Sequence, residues 1–219
     1  MSALFSPRLD ILPPPQRRLW DELVEVPEHF MLYGGTAIAL HLGHRASVDF
    51  DFFGNRLLDP DALMPAIPCL AGATITQRDP NTLSCIVERG GPVKLSFFGV
   101  PALARLRPPH IAPDNGLRVA SLLDLAGAKV RVVQMRAEAK DYLDIDALLT
   151  HGIGLPVALG CARALYGAEF NPQISLKALT YFEDGTLRKL PIALQDRLVQ
   201  AVAAVDLDRL PAIPVENAP

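Results

Sequence analysis

Two aspartates separated by one residue are the most informative feature of the sequence. Asp49 and Asp51 lie in the stretch VDFDFF, where apolar and acidic residues alternate. Such alternation is typical of a β-strand, in which every second side chain points to the same face. The pattern therefore predicts two carboxylates on one face, close enough to share divalent cations. Mg²⁺ favours hard oxygen ligands and keeps waters and substrate phosphates in its shell, and two such ions can clamp the oxygens of a phosphoryl transfer.

A double glycine upstream supplies a second part of the same chemistry. Gly34 and Gly35 end a short apolar run at residues 29–33, and Thr36 begins a segment that predicts a helix up to residue 42. Glycines let the backbone approach a ligand closely, and the N–H groups that begin a helix favour a phosphate. Alone, a double glycine is usually a tight turn and Asp-x-Asp is a common pattern. Together, in the order strand, glycines, helix and acidic strand, they predict a polyphosphate site beside a metal site.

Polar residues that lead into the acidic strand extend this candidate site. Arg45 and Ser47 precede it directly, and we expect both to contribute to nucleotide binding. Arg45 either pairs with a phosphate through two hydrogen bonds or orients one of the two aspartates by a salt bridge. His41 and His44 are three residues apart, but no third ligand follows at metal spacing, so we interpret them as surface or packing residues.

The predicted secondary structure that must position these residues changes from mixed strands and helices to helices alone along the chain. The pattern predicts an α+β N-terminal half, residues 1–115, and a helical C-terminal subdomain, residues 116–219. An aromatic cluster in the first half, Phe50, Phe52, Phe97 and Phe98, is expected in the core rather than as a base-stacking platform. Strands are predicted at residues 29–33, 48–53, 73–78, 82–88 and 93–100, and helices at 16–25, 36–42, 62–70, 120–139, 141–150, 156–166, 175–182 and 191–205.

Composition excludes several classes of protein. Of the 219 residues, 50% are hydrophobic, 21% are charged and the net charge is −3, which argues against disorder and against a generally basic nucleic-acid coat. Three cysteines without a C-x-x-C pair favour a reducing cytoplasm. The start of the chain lacks the pattern of a secretory signal. The longest weakly charged stretch, residues 152–168, contains Pro156 and Arg163, so we expect no membrane association.

The segment GGTAIALHLGHRASVDFDFF resembles the first motif of the AbiEii/AbiGii-type toxin nucleotidyltransferases, which belong to the DNA polymerase beta-like nucleotidyltransferase superfamily. Four later segments follow in the order seen in that family: VKLSFFG at 93–99, LRVASLLDLAGAKV at 117–130, KDYLDIDALL at 140–149 and LKALTYFED at 176–184. The resemblance thus covers residues 30–185. It implies a nucleotidyltransferase-like mixed sheet with flanking helices, in which the helical subdomain completes the active-site cleft.

The resemblance also implies an activity. Such an enzyme uses Mg²⁺ (or Mn²⁺) to transfer a nucleoside monophosphate from an NTP to an acceptor, with RNA such as tRNA as the expected acceptor, and releases pyrophosphate. Gly34, Gly35 and Thr36 would face the triphosphate, while Asp49 and Asp51 would hold the metal ions. A cognate antitoxin protein is the other implied partner.

Three residues of the helical half join the candidate site through the resemblance. Lys129 lies on the apolar stripe of its helix, where it either snorkels to an edge or points into a cleft. The family's motif implies that it meets the nucleotide phosphates, which favours the cleft. By position alone, Asp141 fits a helix N-cap and Asp144 a partner of the helix dipole. The motif instead implies a catalytic aspartate that contacts the nucleotide or activates the acceptor hydroxyl, with Asp141 as first choice and Asp144 as second.

Basic side chains in the same region have two interpretations. They either form a rim that binds tRNA or lie on ordinary solvated faces. The residues concerned are Arg105, Arg107, Arg131, Arg136 and Lys140.

One position departs from the superfamily's pattern. Many members carry a third carboxylate on a later central strand, and Ser96 occupies that position here. A serine is neither a carboxylate base nor a strong metal ligand. Either another acid replaces it, or the chemistry relies on positioning and metals, or the protein is a catalytically degenerate relative that binds a nucleotide or a protein partner. A small-molecule nucleotidyltransferase is a third possibility, but it would not explain the downstream motifs.

Overall fold

The strands of the described chain form one mixed seven-stranded sheet in the order β3-β4-β5-β2-β1-β7-β6. The computed structural model describes residues 5–216, so the outer ends of both predicted domains, residues 1–4 and 217–219, lie outside the described residues. β2 runs parallel to β5 and β1 runs parallel to β7, whereas the other pairs are antiparallel. The expected α+β class with a mixed sheet is confirmed. The strands are β1 Phe30–Tyr33, β2 Asp49–Gly54, β3 Thr74–Asp79, β4 Thr82–Glu88, β5 Pro92–Gly99, β6 His110–Ile111 and β7 Arg118–Val119.

Alternation along β2 and β5 gives the sheet an apolar face and a polar face. Phe50, Phe52 and Phe97 are fully buried, and the rings of Phe52 and Phe97 stack with their centroids 5.0 Å apart. The prediction that these three belong to the core is confirmed. For Phe98 it is wrong: as the next residue along the strand it points to the opposite face. There it is partly exposed and lies 4.8 Å from the ring of Phe53.

The chain divides into two compact units. The first comprises the chain up to Leu103 together with Pro109–Ala120, and it holds the sheet. Its helices are α1 Pro14–Trp20, α2 Gly34–Leu42 and α3 Pro60–Ala66. α2 ends at Gly43, whose φ of 65° is a left-handed conformation that glycine adopts without strain.

The second unit, Ala104–Pro108 and the chain from Ser121 onward, is helical. Its first helix is shorter than the segment 120–139 predicts. It begins after Ser121, whose side chain accepts a hydrogen bond from the N–H of Asp124, and the chain turns after Val132 before the next helix starts at Ala139. The helices are α4 Leu122–Val132, α5 Ala139–Thr150, α6 Leu155–Tyr166, α7 Pro172–Ala178 and α8 Ile192–Ala203.

Within residues 5–216, no single helix combines the length and apolar character needed to cross a bilayer. Ala139–Thr150 and Leu155–Glu169 meet that test only when taken together, and they are bent by 114° at the break between them.

Candidate functional site

A glycine turn lies directly against one carboxylate of the acidic pair. Tyr33, the last residue of β1, pairs with Asp51 on β2, and α2 begins at the following residue. Gly34 has a φ of 74°, and a Cβ placed on it would lie 2.8 Å from Oδ2 of Asp51. Glycine is therefore required there on two grounds, the left-handed backbone and the close approach of the carboxylate. The turn brings the first N–H groups of α2 to the edge where Asp51 lies.

Two hydroxyl groups fix the start of the acidic strand against the first turn of α2. The Thr36 hydroxyl donates to the carbonyl oxygen of Asp49, and the hydroxyls of Thr36 and Ser47 share a hydrogen bond of 2.8 Å. Both side chains are buried, with 2% and 7% exposure. Their observed contacts hold the backbone of Asp49 in place, and nucleotide binding by Thr36 and Ser47 stays a prediction.

Asp49 and Asp51 are partly exposed and alternate with buried Phe50 and Phe52. Both carboxylates therefore lie on the polar face of the sheet. Across residues 5–216, no group of three or more His, Cys, Asp or Glu side chains is placed to hold a metal ion. Two adjacent carboxylates still fit Mg²⁺, because this ion is usually held by one or two carboxylates, with waters and substrate phosphates completing its shell.

The strand beside β2 contributes two further side chains to this face. In the parallel register of β2 and β5, Ser96 lies beside Asp51 and Lys94 lies beside Asp49. Ser96 is buried, whereas Lys94 is exposed. The structure thus places a serine next to the acidic pair, where the superfamily's third carboxylate was expected. Sequence reasoning missed Lys94, because the signal needed was the pairing of two strands in which the partner residues, Asp49 and Lys94, are more than forty positions apart.

Arg45 is partly exposed just before the acidic strand, and its Nη1 donates a 3.0 Å hydrogen bond to the carbonyl oxygen of Ala46. This contact uses one terminal nitrogen of the guanidinium group. It decides neither the phosphate-binding nor the aspartate-orienting interpretation, so nucleotide binding by Arg45 stays a prediction.

The second unit contains a buried cluster of ionised side chains. Nζ of Lys129 lies 2.6 Å from Oδ1 of Asp141 and 2.8 Å from Oδ2 of Asp144. Lys129 is 5% exposed and both aspartates are fully buried, so the lysine does not snorkel to an edge. The N-cap of α5 is Glu138, which rules out the N-cap interpretation of Asp141. A short helix-to-helix turn thus brings together the three residues that the sequence singled out in this half.

Arg136 completes the charge balance of the buried cluster. Its Nε and Nη2 donate to the two oxygens of Asp141 at 2.7 and 3.0 Å, a two-pronged contact that suits a guanidinium. Burial would raise the pKa of Asp141, but the hydrogen bonds from Arg136 and the charge of Lys129 outweigh it, so that pKa lies below its usual value. Asp141 therefore remains a carboxylate well below neutral pH.

The basic side chains proposed as a rim mostly have acidic neighbours. Arg131 lies 3.2 Å from Glu169 and over the ring of Tyr166. Lys140 lies 3.0 Å from Glu138. Arg105 and Arg136 have acidic partners as well, in Glu216 and Asp141, while Arg107 donates to the carbonyl oxygen of Leu106. A concentrated positive surface in the second unit therefore receives little support.

Comparison with known proteins gives three findings. The family model described as "Nucleotidyl transferase AbiEii toxin, Type IV TA system" matches residues 17–212. A curated protein of Aquifex aeolicus (strain VF5), whose own role is uncharacterized, is 29% identical over 174 residues, which cover 77% of this chain and 82% of that protein. Among solved structures, the nucleotidyltransferase toxin MenT4 of Mycobacterium tuberculosis H37Rv superposes with a TM-score of 0.59 at 16% identity, covering 91% of this chain and 84% of its own. At that identity the likeness shows a shared fold.

Proposed function

The chain belongs to the AbiEii nucleotidyl transferase toxin family, and on that premise we propose that it transfers a nucleoside monophosphate from an NTP to an RNA acceptor. In this proposal the acceptor is an RNA such as tRNA, the cation is Mg²⁺ or Mn²⁺, and the place of action is the cytoplasm. The family's description as part of a toxin–antitoxin system supports a cognate antitoxin as the protein partner.

One observation carries the proposal: the α2 glycine turn lies against the carboxylate of Asp51. The backbone N–H groups that begin α2 are proposed to bind the triphosphate, because a helix start is a ready anion site. Asp49 and Asp51 are proposed to hold the cation, and the buried hydroxyls of Thr36 and Ser47 keep the Asp49 backbone in place. Lys94, exposed beside Asp49, adds a positive charge close to the leaving phosphates.

The proposed transfer forms one bond to the α-phosphorus and breaks another. An acceptor hydroxyl oxygen bonds to the α-phosphorus, the bond from that phosphorus to the bridging oxygen breaks, and pyrophosphate leaves while the hydroxyl proton passes to solvent. Bound Mg²⁺ neutralises charge on the reacting phosphates. For Lys129, contact with the nucleotide phosphates, and for Asp141, with Asp144 as second choice, contact with the nucleotide or the acceptor hydroxyl stay predictions of the resemblance, since the three side chains are buried and pair with one another.

Transfer of a labelled nucleotide tests the proposal. Purified protein with each of the four labelled NTPs, total tRNA and Mg²⁺ is expected to yield labelled RNA. Asp49→Ala and Asp51→Ala are expected to reduce the rate at least a hundredfold while the melting temperature stays within a few degrees. Asp79→Ala is the matched control, since Asp79 is an exposed aspartate on β3 of the same sheet, and it should retain full activity.

Ser96 favours a second candidate, a degenerate protein that binds a nucleotide or a protein partner without turnover. Its position beside Asp51 leaves the acidic pair without a third carboxylate on β5. Mg²⁺-dependent NTP binding by the wild type, lost in Asp51→Ala and unaccompanied by labelled RNA, would favour this candidate. Absence of both NTP binding and labelled product would contradict the enzyme and the nucleotide-binding form of the second candidate.

A further inference from the structure

The polar face of the sheet carries an aromatic pair that the proposed chemistry leaves unused. Phe53 on β2 and Phe98 on β5 are direct neighbours in the parallel register, with ring centroids 4.8 Å apart. Both are partly exposed, whereas the phenylalanines of the opposite face are fully buried. Tyr33 packs on Phe53 edge to face at 5.2 Å and supports the pair from β1. Two partly exposed apolar rings therefore lie on the same face as the acidic pair.

The register fixes where this pair lies along the strands. Asp49, Asp51 and Phe53 follow one another at every second position of β2, and Lys94, Ser96 and Phe98 do so on β5. Two residues of a strand span roughly 7 Å, so the aromatic pair lies about that far beyond the row formed by Asp51 and Ser96. The first turn of α2 lies against the preceding residues of β2, since Gly34 packs on the Asp51 carboxylate and Thr36 donates to the Asp49 carbonyl oxygen.

Along β2, the first turn of α2 and the Phe53–Phe98 pair lie at different positions, which would place them on opposite sides of the reacting phosphorus. In phosphoryl transfer the attacking and leaving oxygens are roughly in line. If the pyrophosphate is held at the first turn of α2, which lies against Asp51 and Asp49, the acceptor hydroxyl approaches from the side of Asp51 that faces Phe53 and Phe98. The base attached to the attacking ribose then lies about the width of one sugar beyond Asp51 in the direction of β2, which is the position of Phe53 and Phe98.

From this geometry we propose that Phe53 and Phe98 form a stacking platform for the terminal, unpaired nucleobase of the acceptor. The inference rests on the proposed function, because the direction of approach follows from the position of the triphosphate. Stacking on an aromatic side chain suits an unpaired base and tolerates different bases, since every base has a π-face. The platform thus selects a polynucleotide end rather than a sugar or amine acceptor.

Kinetics with matched substitutions test the platform. Phe98→Leu keeps an apolar side chain but removes the ring, and it is expected to raise the KM for the RNA acceptor about tenfold or more. The KM for the NTP and the kcat at saturating RNA should stay within about twofold. Phe98→Tyr retains the ring and should behave as wild type. Phe53→Leu should resemble Phe98→Leu, and thermal melting verifies that all variants fold.

Two kinetic outcomes would overturn the inference while leaving the proposed function intact. In one, Phe98→Leu leaves the acceptor KM unchanged although transfer proceeds. In the other, it raises the KM for the NTP instead, which would assign the platform to the base of the donor nucleotide.

Fluorescence tests the inference even if no transfer is found. The tryptophan of Phe98→Trp replaces one ring of the platform and is expected to be quenched by a single-stranded ribo-oligonucleotide, but far less by ATP with Mg²⁺. Wild-type protein, whose only tryptophan is the fully buried Trp20, is the background control. Lack of quenching by the oligonucleotide, or equal quenching by ATP, contradicts the platform. Quenching without nucleotide transfer would support the stacking platform and contradict the proposed enzymatic activity.

Discussion

Asp141 ties the stability of the protein to pH through its two basic partners. Its pKa in the folded state lies below the ordinary 3.8, so folding favours the ionised form. The resulting stabilisation is present above the unfolded pKa and is lost as pH falls through the folded pKa. We therefore expect the free energy of unfolding to fall as the pH is lowered below about 4.

Urea denaturation of Asp141→Asn between pH 7 and pH 3 measures this contribution. The variant should be less stable than wild type by about 1–3 kcal/mol at pH 7, because the buried Lys129 and the exposed Arg136 both lose a charged acceptor. The difference should shrink as the pH falls. Asp196→Asn removes an exposed aspartate from α8 and should follow the wild-type curve. A difference between Asp141→Asn and wild type that stays constant with pH would contradict the charge assignment.

Ser96 offers a direct test of what a third carboxylate would add. Ser96→Asp places a negative charge on a buried position beside Asp51. Repulsion should lower the melting temperature in the absence of divalent cations, and Mg²⁺ should restore it, because three carboxylates bind the ion more tightly than two. The Mg²⁺-induced rise in melting temperature should therefore exceed that of wild type.

The partner position on the next strand provides the control for Ser96. Ser84 pairs with Ser96 from β4, is similarly buried, and lies one strand farther from Asp51. Ser84→Asp should be destabilised as well, but Mg²⁺ should not restore it. Equal responses of the two variants to Mg²⁺ would mean that the row containing Asp51 and Ser96 is not the cation site.

At the level of elements, the turn from β1 into α2 makes the site, and glycine permits it. Gly34→Ala introduces two costs: a left-handed backbone at a φ of 74°, about 1–2 kcal/mol, and a clash of the new Cβ with the Asp51 carboxylate. We expect a loss of stability and a loss of nucleotide transfer of at least a hundredfold, since Asp51 or the turn must move.

Gly72→Ala isolates the backbone cost of that substitution. Gly72 has the same φ of 74°, but no heavy atom lies within 4 Å of the Cβ it would gain. This variant should lose about 1–2 kcal/mol of stability and keep full transfer activity. If both variants lose activity equally at matched stability, the contact between the turn and Asp51 is not what the chemistry requires.

The elements that sequence predicted well are those specified by local patterns. The order strand, glycine turn, helix and acidic strand follows from residues 29–53 alone, because alternation and glycine act over a few neighbours. The prediction that Phe98 is buried in the core was wrong, although β5 itself was correctly predicted. Grouping adjacent phenylalanines ignores that Phe97 and Phe98 point to opposite faces of the sheet. The placement of Lys94 beside Asp49 depends on strand pairing across more than forty residues, which no local pattern encodes.

The end of α4 shows a different limit of local patterns. Apolar periodicity continues past Val132, so a single helix over residues 120–139 was predicted. The chain instead turns there, and Arg136 contacts Asp141 from that turn. The contacts of Lys129 and Arg136 with Asp141 join α4, the turn and α5, and helix propensity, which is weak per residue, does not encode such contacts.

At the scale of the whole molecule, charge limits how an RNA can be bound. The chain carries a net charge of −3, and most of the candidate rim cations have acidic neighbours. Binding through many phosphate contacts needs unpaired basic side chains on one surface. The proposed stacking platform instead recognises a base and needs few phosphate contacts.

The salt dependence of RNA binding distinguishes these two modes. For a single strand, log K falls with log salt with a slope of about −0.7 for each neutralised phosphate. We expect a slope no steeper than about −2, which corresponds to about three contacts, when binding of a ribo-oligonucleotide is titrated from 50 to 300 mM salt. Phe98→Leu should lower K at every salt concentration without changing the slope, because stacking releases no counterions. Arg131→Gln removes one of the candidate rim cations and should leave both K and the salt slope unchanged. A slope steeper than about −4 would show that basic side chains bind the RNA backbone. A slope that Arg131→Gln makes shallower by about 0.7 would show the same.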